Sequence, residues 1–273
     1  ISGESVIITF HPHPRKIVAG GKPVHILNTL PEKTELLNAN KIDHLVVVPF
    51  DNAFAEQSAA EYVEKFLVEK FHPHTVIIGY DHRFGKGRAG DYHLLEDYGE
   101  KLGFLVKEIP ERVLNEITIS STAIRNALLH GKIDIANSYL GYDYFFEGIV
   151  VKGAAIGKTI GYPTANLHIE QEEKLVPANG VYAVQVQIKN NAADNFEVPR
   201  LNGMMNIGIR PTFNGSSRMI EVHLLGFDDN LYDKTIRVYI KEYIRSEIKF
   251  SGIDALKVQL AKDKLQTENI LKT

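Results

Sequence analysis

The stretch Gly153–Leu167, G-A-A-I-G-K-T-I-G-Y-P-T-A-N-L, comes within one residue of a phosphate-binding P-loop. A P-loop needs four residues between its glycines and then a helix whose first N–H groups hold phosphate. Here only Ala154, Ala155 and Ile156 separate Gly153 from Gly157, and beyond Lys158 and Thr159 the chain meets Gly161 and Pro163, which argue against a helix. The nucleotide-binding character survives, so another fold must carry it.

Downstream from Tyr142, strand patterns separated by Gly, Asn and Asp follow one another: Tyr144–Val151, Val181–Ile188, Met204–Ile209, Met219–Leu225 and Ile236–Ile240. Strand after strand with no intervening helix predicts an antiparallel barrel, closed by a helix over Ser251–Leu265 with Ser251 as N-cap. Upstream the texture alternates. Apolar β-branched runs at Val6–Phe10, Leu45–Phe50 and Thr75–Gly79 are separated by helical patterns near 31–40, 59–71 and 94–102, as in a parallel sheet covered by helices. Ser121 opens a further helix that stops at Gly131, and another runs over 133–140 to Gly141. The expected architecture is α/β plus β, with domains at 1–142 and 143–273.

The chain has 273 residues, enough for two modest cores, and a formal charge of −3 with mixed signs, which excludes the basic field of a nucleic-acid binder. There is no cysteine and no apolar run long enough to cross a bilayer, so a cytoplasmic address without disulfide or membrane partner is expected. The chain begins Ile1-Ser2-Gly3-Glu4 without an initiator Met, and we expect a preceding N-terminal stretch.

Several clusters carry chemistry. After the first strand, Phe10-His11-Pro12-His13-Pro14 places two histidines on the same side if extended, which reads as a rigid surface loop or as part of a metal site lacking a third ligand. The loop Gly79–Arg88, G-Y-D-H-R-F-G-K-G-R, suits a flat anionic ligand: Phe84 for stacking and Asp81 as acceptor, set against a plain glycine-rich turn. Ser120, Ser121 and Thr122 crowd a helix start that attracts phosphate, with Arg125 on the same face as Ser121. Capping alone is the alternative, but it would need one hydroxyl, not three.

In the second half, Thr164 and Asn166 lie two residues apart on one side of an extended stretch and offer the oxygens that Mg²⁺ takes alongside phosphate. On Met219–Leu225, Glu221 and His223 share one face, and Glu221 reads either as a general base for an alcohol or as a solvated strand carboxylate. Arg210, where a strand enters a turn, is placed to meet phosphate, while Arg245 lies in a charged link that reads equally as solvated.

In this order, T-F-H-P-H-P, G-Y-D-H-R-F-G, I-S-S-T-A-I-R, G-Y-P-T-A-N, N-I-G-I-R-P-T-F and the E-V-H strand resemble the bacterial bifunctional riboflavin kinase/FMN adenylyltransferases, or FAD synthetases, over nearly the whole chain. The resemblance implies a flavokinase-type barrel in which the riboflavin 5′-hydroxyl attacks the ATP γ-phosphate to give FMN. Glu221 would be the base, Thr164 and Asn166 would hold Mg²⁺ and phosphate, and Gly153, Gly157, Lys158 and Gly161 would cover ATP. Tyr162, Arg210 and Arg245 would border the flavin.

It further implies a Rossmann-like nucleotidylyltransferase domain that adenylylates FMN with a second ATP, releasing pyrophosphate and FAD. Ser120, Ser121, Thr122, Arg125 and His13 would bind ATP there, and Phe10, Gly79, Asp81 and Phe84 the flavin. Two departures stand out: no G-x-F-D-G-x-H-x-G-H motif occurs in these residues, and His11 stands where many members carry an acid. We expect the preceding stretch to supply that motif and, with it, a central strand. The alternatives are a kinase with a non-catalytic N-terminal module, or a barrel used only as an interaction surface. Small molecules are the expected partners, and a monomer or weak homo-oligomer the expected state.

Overall fold

The computed structural model describes residues 3–18, 24–111, 113–114, 117–153, 156–189, 196, 199–212 and 215–272. Contacts divide the chain into two compact units, one built from residues up to His25 and Leu30–Ile119, the other from Ile26–Thr29 and Ser120–Thr273.

The first unit is α/β. Strand β1 (Val6–His11) pairs in parallel with β2 (His44–Pro49), and β3 (Thr75–Gly79) in parallel with β4 (Leu105–Ile109). A short antiparallel pair follows, β5 (Val113–Leu114) with β6 (Ile117–Thr118). Helices Leu30–Ala39 and Tyr92–Leu102 pack here, together with a continuous helix over 59–71 whose middle, Tyr62–Val68, has π geometry. Its start is fixed by a capping box: the Glu61 N–H donates to Ser58 Oγ, and the Ser58 N–H donates back to the Glu61 carboxylate. The π segment buries Tyr62, Val63, Phe66 and Leu67, placing two aromatics in a core of edge-to-face rings that also holds Phe10, Phe50, Phe54 and Phe84.

The second unit carries a closed antiparallel barrel of six strands, β7 (Phe145–Val151), β8 (Ala165–His168), β9 (Gly180–Lys189), β10 (Leu201–Thr212), β11 (Gly215–Leu224) and β12 (Thr235–Arg245). Their order around the wall is β10-β11-β8-β7-β12-β9. Alternation along each strand fills the interior with Phe146, Val184, Met205, Ile207, Ile236 and Ile240, all essentially inaccessible. Helices Ser121–Leu129, Ile133–Leu140 and Ile253–Ile270 belong to the same unit. Asn137 ties the second of these to the barrel, donating from Nδ2 to the Ile240 carbonyl while its Oδ1 accepts from the Tyr144 N–H. The texture of the sequence therefore changes at Gly141–Tyr144, whereas the packing unit already changes at Ser120.

Several local expectations are refined or corrected. The helix Ser121–Leu129 opens at Ser121 as expected, and the residue before it, Ser120, is its N-cap, with Oγ accepting from the Ala123 N–H at 3.2 Å. The last helix begins at Ile253 with Gly252 as an N-cap that makes no side-chain bond, because Ser251 lies one residue too early. It also runs past Leu265 to Ile270. A single helical turn, Ile156–Thr159, does form around Gly157, and it stops short of Gly161, whose φ of +85° no helix accepts. Strands β4 and β8 were not anticipated as strands: in Leu105–Ile109 the adjacent Lys107 and Glu108 break the apolar pattern, and Ala165–His168 is short and lies two residues after a proline.

Candidate active sites

In the barrel, register assembles the polar residues. β10, β11 and β8 run side by side, with Asn206 opposite Glu221 and Glu221 opposite Asn166. Directly opposed residues in adjacent strands point to the same face, so the two amides flank the carboxylate. Asn206 and Glu221 line a cavity of about 320 Å³, together with Gly157, Tyr162, Thr164, His223 and Arg245. Its remaining wall is largely apolar, drawn from Met204, Met205, Ile248, Phe250, Leu256 and Leu260. An apolar slot with a few convergent polar groups suits a flat ring carrying a polar tail.

The glycine loop is fitted to this wall. A Cβ on Gly153 would overlap the Asn166 carboxamide, and one on Gly157 would overlap the Tyr162 carbonyl. The Tyr162 N–H in turn donates to the Gly157 carbonyl at 2.9 Å. Thr164 Oγ1 lies 3.4 Å from where a Gly157 Cβ would sit. Lys158 is exposed on the single turn, and residues 154–155 lie outside the described residues. Arg210 sits on β10 opposite Ser217, but its side chain is likewise outside them.

Arg245 ends β12 in a forked ion pair: Nε donates to Asp263 Oδ1 at 2.9 Å and Nη2 to Oδ2 at 2.6 Å. Asp263, on the closing helix, is 1 % exposed and also accepts from Gln259. The cation facing the cavity is thus already neutralised, which suits an uncharged ring better than a phosphate. His223 is buried beside Glu221, donates from Nδ1 to the Pro163 carbonyl at 2.7 Å and packs its ring 5.3 Å from that of Tyr162. Burial lowers its pKa, with the Lys264 charge adding to the effect and the Pro163 bond opposing it. Asn206, His223 and Asp263 were missed as site residues, and only the barrel register could have found the first.

In the α/β unit the loop after β3 turns sharply, the His82 N–H donating to the Gly79 carbonyl at 2.9 Å. Asp81 Oδ1 lies close by Gly79. Phe84 does not present a free face for stacking. It is 6 % exposed, bridges by both backbone bonds to Gly90, whose absent Cβ makes room for its ring, and packs on Tyr62 at 5.1 Å. Phe10 likewise packs edge-on against Phe50 at 5.4 Å. Tyr80, at 39 %, is an exposed aromatic of the loop, and His82 is exposed as well. His82 is stacked on Phe84, and burial, above all, lowers its pKa.

His11 ends β1 and the chain bends at Pro12, so the two histidines do not share one extended stretch; a short helix follows from Pro14, and the Arg15 N–H donates to His13 Nδ1. Lys33, unmarked by any motif, donates to Thr9 Oγ1 on β1 at 2.9 Å, and burial lowers its pKa. Ser121, Thr122 and Arg125 occupy the first turns of their helix, and these three with Ser120 belong to the barrel unit, whereas His13, Gly79 and Asp81 belong to the α/β unit. Among the described residues no three His, Asp or Glu side chains gather in a metal-holding group, and no helix is long and apolar enough to cross a membrane.

Comparison with known proteins accounts for both units. The family model described as FAD synthetase matches residues 2–123, and the one described as riboflavin kinase matches residues 140–271. The bifunctional riboflavin kinase/FMN adenylyltransferase of Haemophilus influenzae is 37% identical over 257 residues, covering 94% of this chain and 80% of that protein. The protein of the same name from Escherichia coli K12 is 36% identical, covering 95% and 80%. A crystal structure titled macrolide-efflux protein, from Streptococcus pneumoniae, superposes with a TM-score of 0.86 at 30% identity, covering 97% of this chain and 84% of that one. A non-catalytic N-terminal module is not favoured once an FAD synthetase match covers that half. Two enzymatic domains in tandem, shared along almost the whole chain with relatives of both activities, place this protein in the family of bifunctional riboflavin kinase/FMN adenylyltransferases.

Proposed function

We propose that the barrel cavity is the site where riboflavin is phosphorylated, with Glu221 as general base. The observation that carries this reading is the register Asn206–Glu221–Asn166, whose first two members line the cavity. The flavin ring occupies the apolar slot beside Tyr162 and the neutralised Arg245–Asp263 pair. Its 5′-hydroxyl oxygen attacks the γ-phosphorus of ATP, the bond to the β–γ bridging oxygen breaks, ADP leaves, and the hydroxyl proton passes to a Glu221 carboxylate oxygen.

Thr164 and Asn166 fit Mg²⁺: they offer a hydroxyl and a carboxamide oxygen, and Gly153 leaves room for the Asn166 amide that any Cβ would fill. The bound ion would neutralise phosphate charge. Gly157, Lys158 and Gly161 cover the nucleotide, and Arg210 adds a cation at the end of β10.

For the second reaction, we assign Ser120, Ser121, Thr122 and Arg125 to the ATP phosphates, at the N-terminus of a nine-residue helix. A phosphate oxygen of FMN attacks the α-phosphorus of ATP and pyrophosphate departs. His13, Gly79 and Asp81 belong to the same reaction. Phe10 and Phe84 contribute by holding their loops rather than by stacking. On this reading the functional border stays at 142/143, although helices 121–140 pack with the barrel.

Assaying FMN and FAD formation in parallel tests the division. Glu221→Ala is expected to remove FMN formation and leave adenylylation of supplied FMN intact, and Arg125→Ala the reverse. Equal loss of both activities in either variant would refute separate sites.

A further inference from the structure

We infer that His223 is a positioning residue for the kinase reaction, holding the Pro163–Asn166 segment against the strand that bears Glu221. The inference rests on the assignment of Glu221, Thr164 and Asn166 proposed above. Pairing between β11 and β8 consists of Glu221 with Asn166 and Val222 with Ala165, and there it stops. One step further lies Thr164, then Pro163, which has no N–H to donate to a ladder. At that point a side chain replaces the backbone: His223 Nδ1 donates to the Pro163 carbonyl at 2.7 Å.

A carbonyl oxygen only accepts, so the proton resides on Nδ1, and the tautomer of the neutral ring is fixed with Nε2 unprotonated. The Tyr162 ring packs on the same imidazole at 5.3 Å. The segment is also held through the Tyr162 N–H to the Gly157 carbonyl, in a loop rich in glycine, and at its far end by the pairing of Asn166 with Val151 on β7. His223 is buried on the cavity wall, two residues along the same face from Glu221. Between those pairings and the loop, the imidazole holds Pro163, and with it the Thr164 hydroxyl, in place relative to the base.

The test compares His223→Ala, His223→Gln and His223→Asn by kcat and KM for FMN formation, riboflavin affinity by flavin fluorescence, and thermal unfolding. Asn presents an N–H near the Nδ1 position, whereas Gln carries its donor one bond too far. Ala and Gln are expected to lower kcat about 100-fold, the cost of an ångström-scale misplacement, with riboflavin Kd within about 3-fold of wild type. Asn is expected to restore kcat to within about 5-fold of wild type, since it keeps the donor.

Loss in Asn equal to that in Ala, or wild-type kcat in all three, would overturn the inference. Glu221→Ala, run alongside, separates the two readings: if it too leaves FMN formation intact, the site assignment fails, and if it alone abolishes turnover, only the role of His223 fails. Should Ala and Gln unfold, ¹⁵N NMR of the histidine-labelled wild-type protein decides, because an Nε2–H tautomer at His223 overturns the tether.

Discussion

The barrel and the α/β unit use their polar and aromatic loops in opposite ways. In the barrel, three neighbouring strands deliver Asn206, Glu221 and Asn166 to one wall, and the glycine loop fits around the Asn166 amide. In the α/β unit, the aromatic that the sequence offers for binding, Phe84, is consumed by the core, and an exposed aromatic of the loop is Tyr80. A hydrogen-bonded ladder fixes side chains by geometry, so barrel candidates converge. A loop places side chains by what each can bury, and a large aromatic next to an apolar core is drawn inward.

Breaking the Arg245–Asp263 fork is expected to have the largest effect on the barrel side. Asp263→Ala removes the buried carboxylate from a guanidinium that is 17 % exposed and should cost about 3 kcal/mol of stability by denaturant unfolding. A loss below about 1 kcal/mol would mean that the pair is held open to water. On the other side, Phe84→Ala should cost about 3 kcal/mol while Tyr80→Ala leaves stability nearly untouched and weakens FMN binding. The reverse pattern would restore Phe84 as the ligand-facing ring.

Gly153→Ala should lower FMN formation about 100-fold by pushing the Asn166 amide aside, with FAD formation from supplied FMN unchanged. The smallest effect concerns pH. Burial holds the folded-state pKa of His82 below its unfolded value, so between the two the unfolded chain binds more protons and stability rises with pH. The contribution of His82 is complete above about pH 6.5 and is lost as the pH falls through the lower folded value. His82→Gln should flatten the unfolding midpoint between about pH 7 and 5.

The barrel itself was legible, because β-branched alternation and Gly, Asn or Asp punctuation recur along 144–240, and so was the pairing of Glu221 with His223 on one face. The convergence of Asn206 on Glu221 was not, since register is a property of pairs of strands and not of either alone. The loop after β3 was recognised as a loop, but its burial was not: only the tertiary contact with Tyr62 and the space left by Gly90 decide where Phe84 points. His11 and His13 share a side only in an extended segment, and the bend at Pro12 between them is a backbone feature that the residue pattern did not show.

The most direct measurement of the central claim, that strand register builds the kinase site, is single-turnover phosphorylation of saturating riboflavin by Glu221→Gln. Glutamine keeps the shape at the centre of the Asn206–Asn166 pair and removes only the base. The account predicts a phosphoryl-transfer rate at least about 100-fold below wild type, with riboflavin Kd within about 3-fold. A rate within about 3-fold of wild type would contradict it.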